Sequence, residues 1–479
     1  MGLREYAPLV VLSMKAVRVE RDSIGEREIP QEAYYGINSL RAQENFPVSG
    51  VLVPGPIVRA YGYIKLAAVR ANRELGALDG ERSKAIEQAA QEFLQGKFDR
   101  DIIVDAFQAG AGTSTNMNVN EILANRALEL SGKPRGDYTS LSPNDHINMG
   151  QSTNDTYPTA LNLGLLLALK DLEVSVRTVV HSLRGKEQEF ASVPKSGRTH
   201  LKDAMPITLG EEFGAYASVL ERVLDGLPRV REGLCEVPLG GNAVGTGVNT
   251  RSGYRTLVVQ HLASVTGFPF RPSRDPFEGM QSRWAALATS GFLRGLAVEL
   301  SRISNDLRLL SSGPATGLDE IRLPEVQAGS SIMPAKVNPS LAECLNQICF
   351  HIIGSDLGAT FAAEAGQLEI NVMMPVMSFE ILFSMKLLTN FLPVFAAKGV
   401  DGITANPEKC NTYLLASSSI ATILTPRLGY LKVAEAIKKS AAAGISVKAY
   451  LEKEGLLSPA ETEQLLGREA LLKITRPVA

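Results

Sequence analysis

Five segments, roughly 159–192, 207–232, 282–312, 341–365 and 376–399, repeat apolar residues at helical spacing over lengths about twice the ~10–14 residues of an average globular helix. Gly, Pro and Ser clusters separate them, notably Val193–Gly197, Leu239–Gly241 and Pro324–Pro339. Long helices joined at their ends make a bundle. Several segments, such as Ala285–Leu300, are apolar around most of their circumference, and the outer stripe then needs a further partner. The expectation is an all-α, or mainly α, protein whose bundles pack into a larger helical core. A composition with 45% hydrophobic but only 6% aromatic residues agrees, because it favours helices packed through Ala, Leu, Val and Met over a sheet.

The flanking regions differ. Residues 15–55 are polar and turn-rich, helical spacing starts at Val58, and Glu121–Leu128 reads as another helix. Beyond Gly402 the pattern shortens into small amphipathic helices, with Gly444–Leu466 resembling a helical hairpin. Three regions follow: 1–150 mainly helical, 151–400 the long-helix bundle, and 401–479 a small helical domain.

A net charge of −2, from 49 basic and 51 acidic side chains without long like-sign blocks, offers no nucleic-acid groove and no membrane-binding face. Cys235, Cys344, Cys349 and Cys410 form neither a CxxC pair nor a disulfide framework, which fits a cytoplasmic protein. Ala7–Leu12 is too short for a spanning helix and lacks a cleavage site, so export is not expected. Met14 would serve as a natural start, leaving residues 1–13 as an extension. The five histidines make no HxH or HxxxH pair, so no metal centre and no cofactor are expected.

Four loops are too rich in small, hydroxyl and amide residues to be plain connectors: Gly110–Asn116, Ser152–Asp155, Gly197–Asp203 and Gly329–Asn338. Each lies at a helix mouth, where free N–H groups favour anions. Together they offer hydroxyls in Thr113, Ser152, Thr153, Thr199 and Ser330, amides in Asn154 and Asn338, and a cation in Lys336. That set suits a small polyacid and the charge that spreads into a carboxylate when a neighbouring carbon loses a proton. Taken singly, each feature has a plainer reading: a flexible connector, a solvated lysine, a structural His200. The glycine-rich runs Gly110–Gly112 and Gly240–Gly247 follow no convincing strand and lack Gly-Lys-Ser/Thr, so nucleotide binding is not expected. His146, in Pro143-Asn144-Asp145-His146, reads as turn-stabilising or as a residue behind the pocket.

Taken jointly, the loops resemble the aspartase/fumarase superfamily. Gly329-Ser330-Ser331-Ile332-Met333-Pro334-Ala335-Lys336-Val337-Asn338 is similar to its GSSxMPxKxN signature, and Ala33–Gly36, Gly112–Ser114, Gln151–Asp155 and Gly197–His200 extend the likeness over almost the whole chain. The resemblance implies a three-domain fold whose long helices form a twenty-helix core in a homotetramer, with each active site built from loops of three subunits. It implies Ser330, as its alkoxide, as the base and His200 as the second catalytic residue. Lys336 and Asn338 would bind one carboxylate of a small dicarboxylate. Thr113, Ser152, Thr153 and Asn154 would surround the other carboxylate and the amino group, with Thr199 completing the pocket and Glu343 tuning the histidine from behind.

Ala33-Tyr34-Tyr35-Gly36, Thr113-Ser114 and Ser152-Thr153-Asn154 are similar to the aspartase branch more than to class II fumarases. The implied reaction is reversible conversion of L-aspartate to fumarate and ammonia. Hydration of fumarate, a lyase for another succinate-type amino acid, and a silent binding homologue are the alternatives. Ala315, Met374, Asn242 and Arg427 depart from the family pattern, which expects Arg, Glu, Thr and His there. The first two remove a cation and an anion, and are either coupled or signs of a shifted substrate or effector response.

Overall fold

The computed structural model describes residues 16–334 and 336–474; the expected N-terminal extension lies outside them. Helices dominate the described residues and the strands occur as short pairs, so the mainly α expectation holds. The chain divides into two compact units. One comprises the residues up to 168 with 228–291 and 355–383; the other comprises 169–227, 292–354 and 384 onward.

The first unit opens with a hairpin, β1 (Val17–Asp22) and β2 (Gly25–Pro30), and a short helix α1 (Ile37–Asn45), where the sequence suggested only turns. The pattern is hidden because the buried positions of β1 are Arg18 and Glu20, while Val17 and Val19 face outward. Arg18 bridges Glu20 at 2.8 Å and donates to the carbonyls of Pro30, Ala33 and Tyr35, which satisfies its buried donors. Three helices follow: α2 (Gly55–Glu74), α3 (Gly80–Leu94) and α4 (Thr113–Leu130). Asp79 caps α3 by accepting the Arg82 N–H. Ile57, Tyr61, Ile64, Val119, Ile122 and Leu123 are fully buried in this unit.

Four long helices contribute residues to both units: α5 (Thr153–Glu189), then, after the elements that follow, α10 (Trp284–Leu310), α11 (Ser340–Glu364) and α12 (Met374–Phe395). In the second unit α5 leads into a hairpin, β3 (Pro194–Thr199) with β4 (Lys202–Thr208), which the sequence suggested only as loop. The expected helix over 207–232 is two helices, α6 (Leu209–Leu224) and α7 (Leu227–Leu234), broken at Asp225-Gly226 ahead of Pro228, whose ring cannot continue a helix interior. Thr208 and Glu211 start α6 with a reciprocal capping box. The chain returns to the first unit at Pro228, so that unit holds α7 beyond Leu227 and the next two helices, α8 (Tyr254–Thr266) and α9 (Pro276–Gln281).

The C-terminal part carries the expected short helices, beginning with α13 (Pro407–Ala416), around a cluster that includes Leu424, Val433, Leu451 and Leu466. The Gly444–Leu466 region forms the helix pair Val447–Lys453 and Pro459–Leu466. The segment Met374–Val400 is, by length and composition, long and apolar enough to cross a membrane; Met377, Ile381, Met385, Leu388 and Leu392 along it are buried in protein.

Candidate active site

In the first unit the candidate residues stand at two helix starts. Thr113 is the first residue of α4 and is exposed; Thr153 and Asn154 open α5 directly after Ser152, six residues earlier than the sequence suggested. Gly112 precedes Thr113 with φ +80°, and a Cβ there would lie 2.0 Å from the Tyr157 ring, so only glycine allows this approach. The Asn116 amide, one turn into α4, donates to Thr153 Oγ1 at 3.0 Å, which ties the two helix starts together. Free N–H groups and the positive ends of two helix dipoles thus converge. Asn154 donates to the Ala243 carbonyl at 2.8 Å, and Ser152 Oγ accepts the Asn154 N–H at 3.2 Å.

Beneath them lie two buried ionisable side chains, Asp155 and Lys65, which the sequence did not place in the pocket. Asp155, 0% exposed, accepts the N–H groups of Ser152 (2.9 Å), Gly240 (3.0 Å) and Asn242 (2.9 Å). Burial pushes its carboxyl up to about 7, opposed by these donors and by Lys65. Lys65, 1% exposed in α2, donates to the side-chain oxygens of Asn116 (2.8 Å), Asn148 (3.1 Å) and Gln151 (2.8 Å). Burial pushes its ammonium down to about 7, opposed by Asp155. The signal was present: Lys65 is the one charge within the apolar run from Tyr61 to Val69. His146 acts in its turn as the sequence suggested, its Nδ1 accepting the Ser142 N–H at 2.9 Å.

In the second unit, Thr199 pairs with Lys202 across a two-residue turn formed by His200 and Leu201, both at positive φ (+55° and +57°) and both exposed. Non-glycine residues at both turn positions are strained, an arrangement that clusters at functional sites. The hairpin is anchored from below: Glu320, 0% exposed, takes Arg198 through two nitrogens at 3.0 and 2.9 Å and Lys195 at 2.8 Å, while Lys195 also meets Glu212 at 2.6 Å. None of these four anchoring residues was among the candidates.

The signature loop, also in the second unit, lines a cleft of about 380 Å³ with Ser330, Met333 and Lys336 on its walls. Ser330 Oγ accepts two backbone N–H groups, from Ile332 at 3.2 Å and Met333 at 2.8 Å. A Cβ on Gly329 would meet the Lys336 carbonyl oxygen at 2.1 Å, so the loop closes on itself only with glycine there. Asn338 turns its amide onto the Gly329 carbonyl, and Lys336 is exposed. Glu343 stands in the first turn of α11; no hydrogen bond or ion pair joins it to His200 among the described residues. No group of three or more metal-ligating side chains occurs among the described residues.

This mainly helical chain matches the lyase family over residues 25–354 and belongs to it, within the aspartase/fumarase superfamily. The similarity is full-length: the aspartate ammonia-lyase of Pseudomonas aeruginosa is 45% identical over 95% of this chain and 97% of its own. A solved structure described as fumarate lyase:delta crystallin from Brucella melitensis bound to cobalt superposes with a TM-score of 0.93 at 44% identity, covering 96% of this chain and all of that one. The class II fumarase of Schistosoma mansoni gives a TM-score of 0.92 at 34% identity over 97% of this chain and all of its own.

Proposed function

We propose that the protein is an aspartate ammonia-lyase that interconverts L-aspartate with fumarate and ammonia. The observation that carries the reaction type is the pair of N–H groups on Ser330 Oγ. A serine hydroxyl is too weak an acid to act as a base unless its oxyanion is stabilised, and two aligned backbone donors with Lys336 on the same cleft provide that stabilisation. Ser330 Oγ takes the Cβ proton, the Cα–N bond breaks, ammonia leaves and the Cα–Cβ double bond forms. Charge on the carboxylate next to Cβ is held by Lys336 and Asn338. Thr113, Ser152, Thr153 and Asn154 hold the other carboxylate and the amino group, Thr199 and His200 complete the pocket, and Glu343 tunes His200. The reaction needs no cofactor. The choice of aspartate over malate is supported by 45% identity to an aspartate ammonia-lyase against 34% to a fumarase.

The same proposal includes a cytoplasmic homotetramer with a twenty-helix core, active sites drawn from three subunits, and the three-part division 1–150, 151–400 and 401–479. Exposed Phe350 (61%), Leu357 (59%) and Phe361 (64%), which share a face of α11, support burial against other copies.

Absorbance of fumarate formed from L-aspartate and from L-malate by the purified protein tests the reading. Turnover of aspartate is expected; turnover of malate alone would assign the fumarase activity instead, and inactivity on both would remove the catalytic proposal.

A further inference from the structure

Within the first unit, a cavity of about 190 Å³ is lined by Arg283, Ser273, Glu236, Glu278 and Trp284, and its lining includes no residue of the four loops of the candidate site. Arg283 is only 6% exposed. One of its terminal nitrogens donates to the Gly279 carbonyl, the other faces the Met374 thioether at 3.8 Å, and its buried Nε has no hydrogen-bond partner. Burial pushes the guanidinium down to about 10, partly opposed by the charge of Glu278, so it remains a cation at neutral pH. A buried cation with one carbonyl and one thioether against its terminal nitrogens, and an unpartnered Nε, is a costly arrangement in a protein interior.

The surrounding chemistry calls for an anion. Ser273, 5% exposed, leaves its hydroxyl without a partner and lines the same space. Trp284 and Ala285 line it too, and they begin the 27-residue α10, whose first-turn N–H groups add positive potential. Of the two lining carboxylates, Glu236 is already neutralised: it accepts the Arg274 N–H at 2.8 Å and meets Arg271 at 3.4 Å. Glu278 is exposed at the rim and works against any ligand of higher negative charge.

We propose that this cavity binds a small molecule through a single carboxylate, with Arg283 as the cation and the Ser273 hydroxyl as a second donor. The volume holds several waters but falls short of the ~300 Å³ at which drug-sized pockets begin, which sets the ligand at the size of a small organic acid. Met374 faces the same guanidinium: a glutamate at this position would set an internal carboxylate against it, and here that place holds a thioether.

The site carries its own reporter, because Trp284 is the only tryptophan in the chain. Intrinsic fluorescence of the full protein is titrated with sodium acetate against sodium chloride at constant ionic strength. A saturable change with acetate and none with chloride is expected, weakened about tenfold or more in Arg283→Met. Should that variant fail to fold, Met374→Glu serves, since its internal carboxylate occupies the guanidinium and abolishes the acetate response. No response in the native protein, an equal response to chloride, or an undiminished response in either variant overturns the proposal. The readout does not use turnover, so it stands or falls apart from the lyase activity.

Discussion

Asp155 Oδ2 accepts the backbone N–H of Asn242 at 2.9 Å, and with the same carboxylate holding Ser152 and Gly240 it clamps the start of α5 to the glycine-rich turn. Asn242 sits there at φ +58°, where the family pattern expects threonine; asparagine is better suited to this left-handed geometry. Asp155→Asn replaces an acceptor-only oxygen pair with an amide that points donors at donors. The expected cost is about 1–3 kcal/mol of stability in urea unfolding. A drop in kcat/KM of about tenfold or more should accompany it, about 1.4 kcal/mol in the barrier. The sign of the pH dependence also follows. Burial pushes the native carboxyl up to about 7 from an ordinary 3.8, so across that window the native state binds more protons and this group's contribution to stability falls as pH rises. Unfolding curves of Asp155→Asn should lack that component.

Glu320 anchors the hairpin that carries Thr199 and His200. Its replacement by glutamine leaves Lys195, 1% exposed, with Glu212 alone and strips Arg198 of its bidentate partner. Breaking a buried charged network in this way costs about 3–5 kcal/mol. Denaturant midpoints should move accordingly. A Glu320→Gln protein with native stability would show that the cluster does not hold the hairpin.

The parts of this molecule legible in the sequence are those whose signal is local. Helical spacing located α10, α11 and α12 to within a few residues, and the loop Gly329–Asn338 announced itself by composition. The anchors of the β3–β4 hairpin were not legible, because Lys195, Glu212 and Glu320 look like surface charges until tertiary packing buries them. The β1–β2 hairpin escaped for the inverse reason: its inward face is Arg18 and Glu20, opposite to the apolar alternation that marks a strand. For the candidate site, the signature pointed to Ser330 and Lys336 as candidates, but the N–H groups of Ile332 and Met333 on the serine oxygen are properties of a folded loop that no spacing encodes.

His146 supplies a second pH test. Its Nδ1 accepts the Ser142 N–H, and burial first, then Arg82, lowers its pKa from the ordinary 6.5. As pH falls below 6.5 the unfolded chain takes the proton before the native one, so stability falls with pH in that window and is fully present above it. Imidazole resonances followed by NMR should show His146 titrating below the chain's unfolded histidines. A native value at or above 6.5 would mean that burial and Arg82 do not outweigh the neighbouring carboxylates of Asp145 and Asp79.

Ser330→Ala removes the proposed base while leaving the loop's closure intact, since the contact between Gly329 and Lys336 is made by backbone. What the variant does lose is the acceptor for the N–H groups of Ile332 and Met333, both in an exposed turn where water replaces it at little cost. Circular dichroism and sedimentation should therefore match the native protein, while kcat for aspartate falls by roughly 10²–10⁴, the range of a positioned general base. Lys336→Ala separates the roles: it should raise KM as well as lower kcat, because an exposed cation on the cleft acts on bound substrate and on developing charge alike. If Ser330→Ala kept most of its turnover, the two N–H groups would be no more than a local turn bond, and the proton would have to leave through another residue of the pocket.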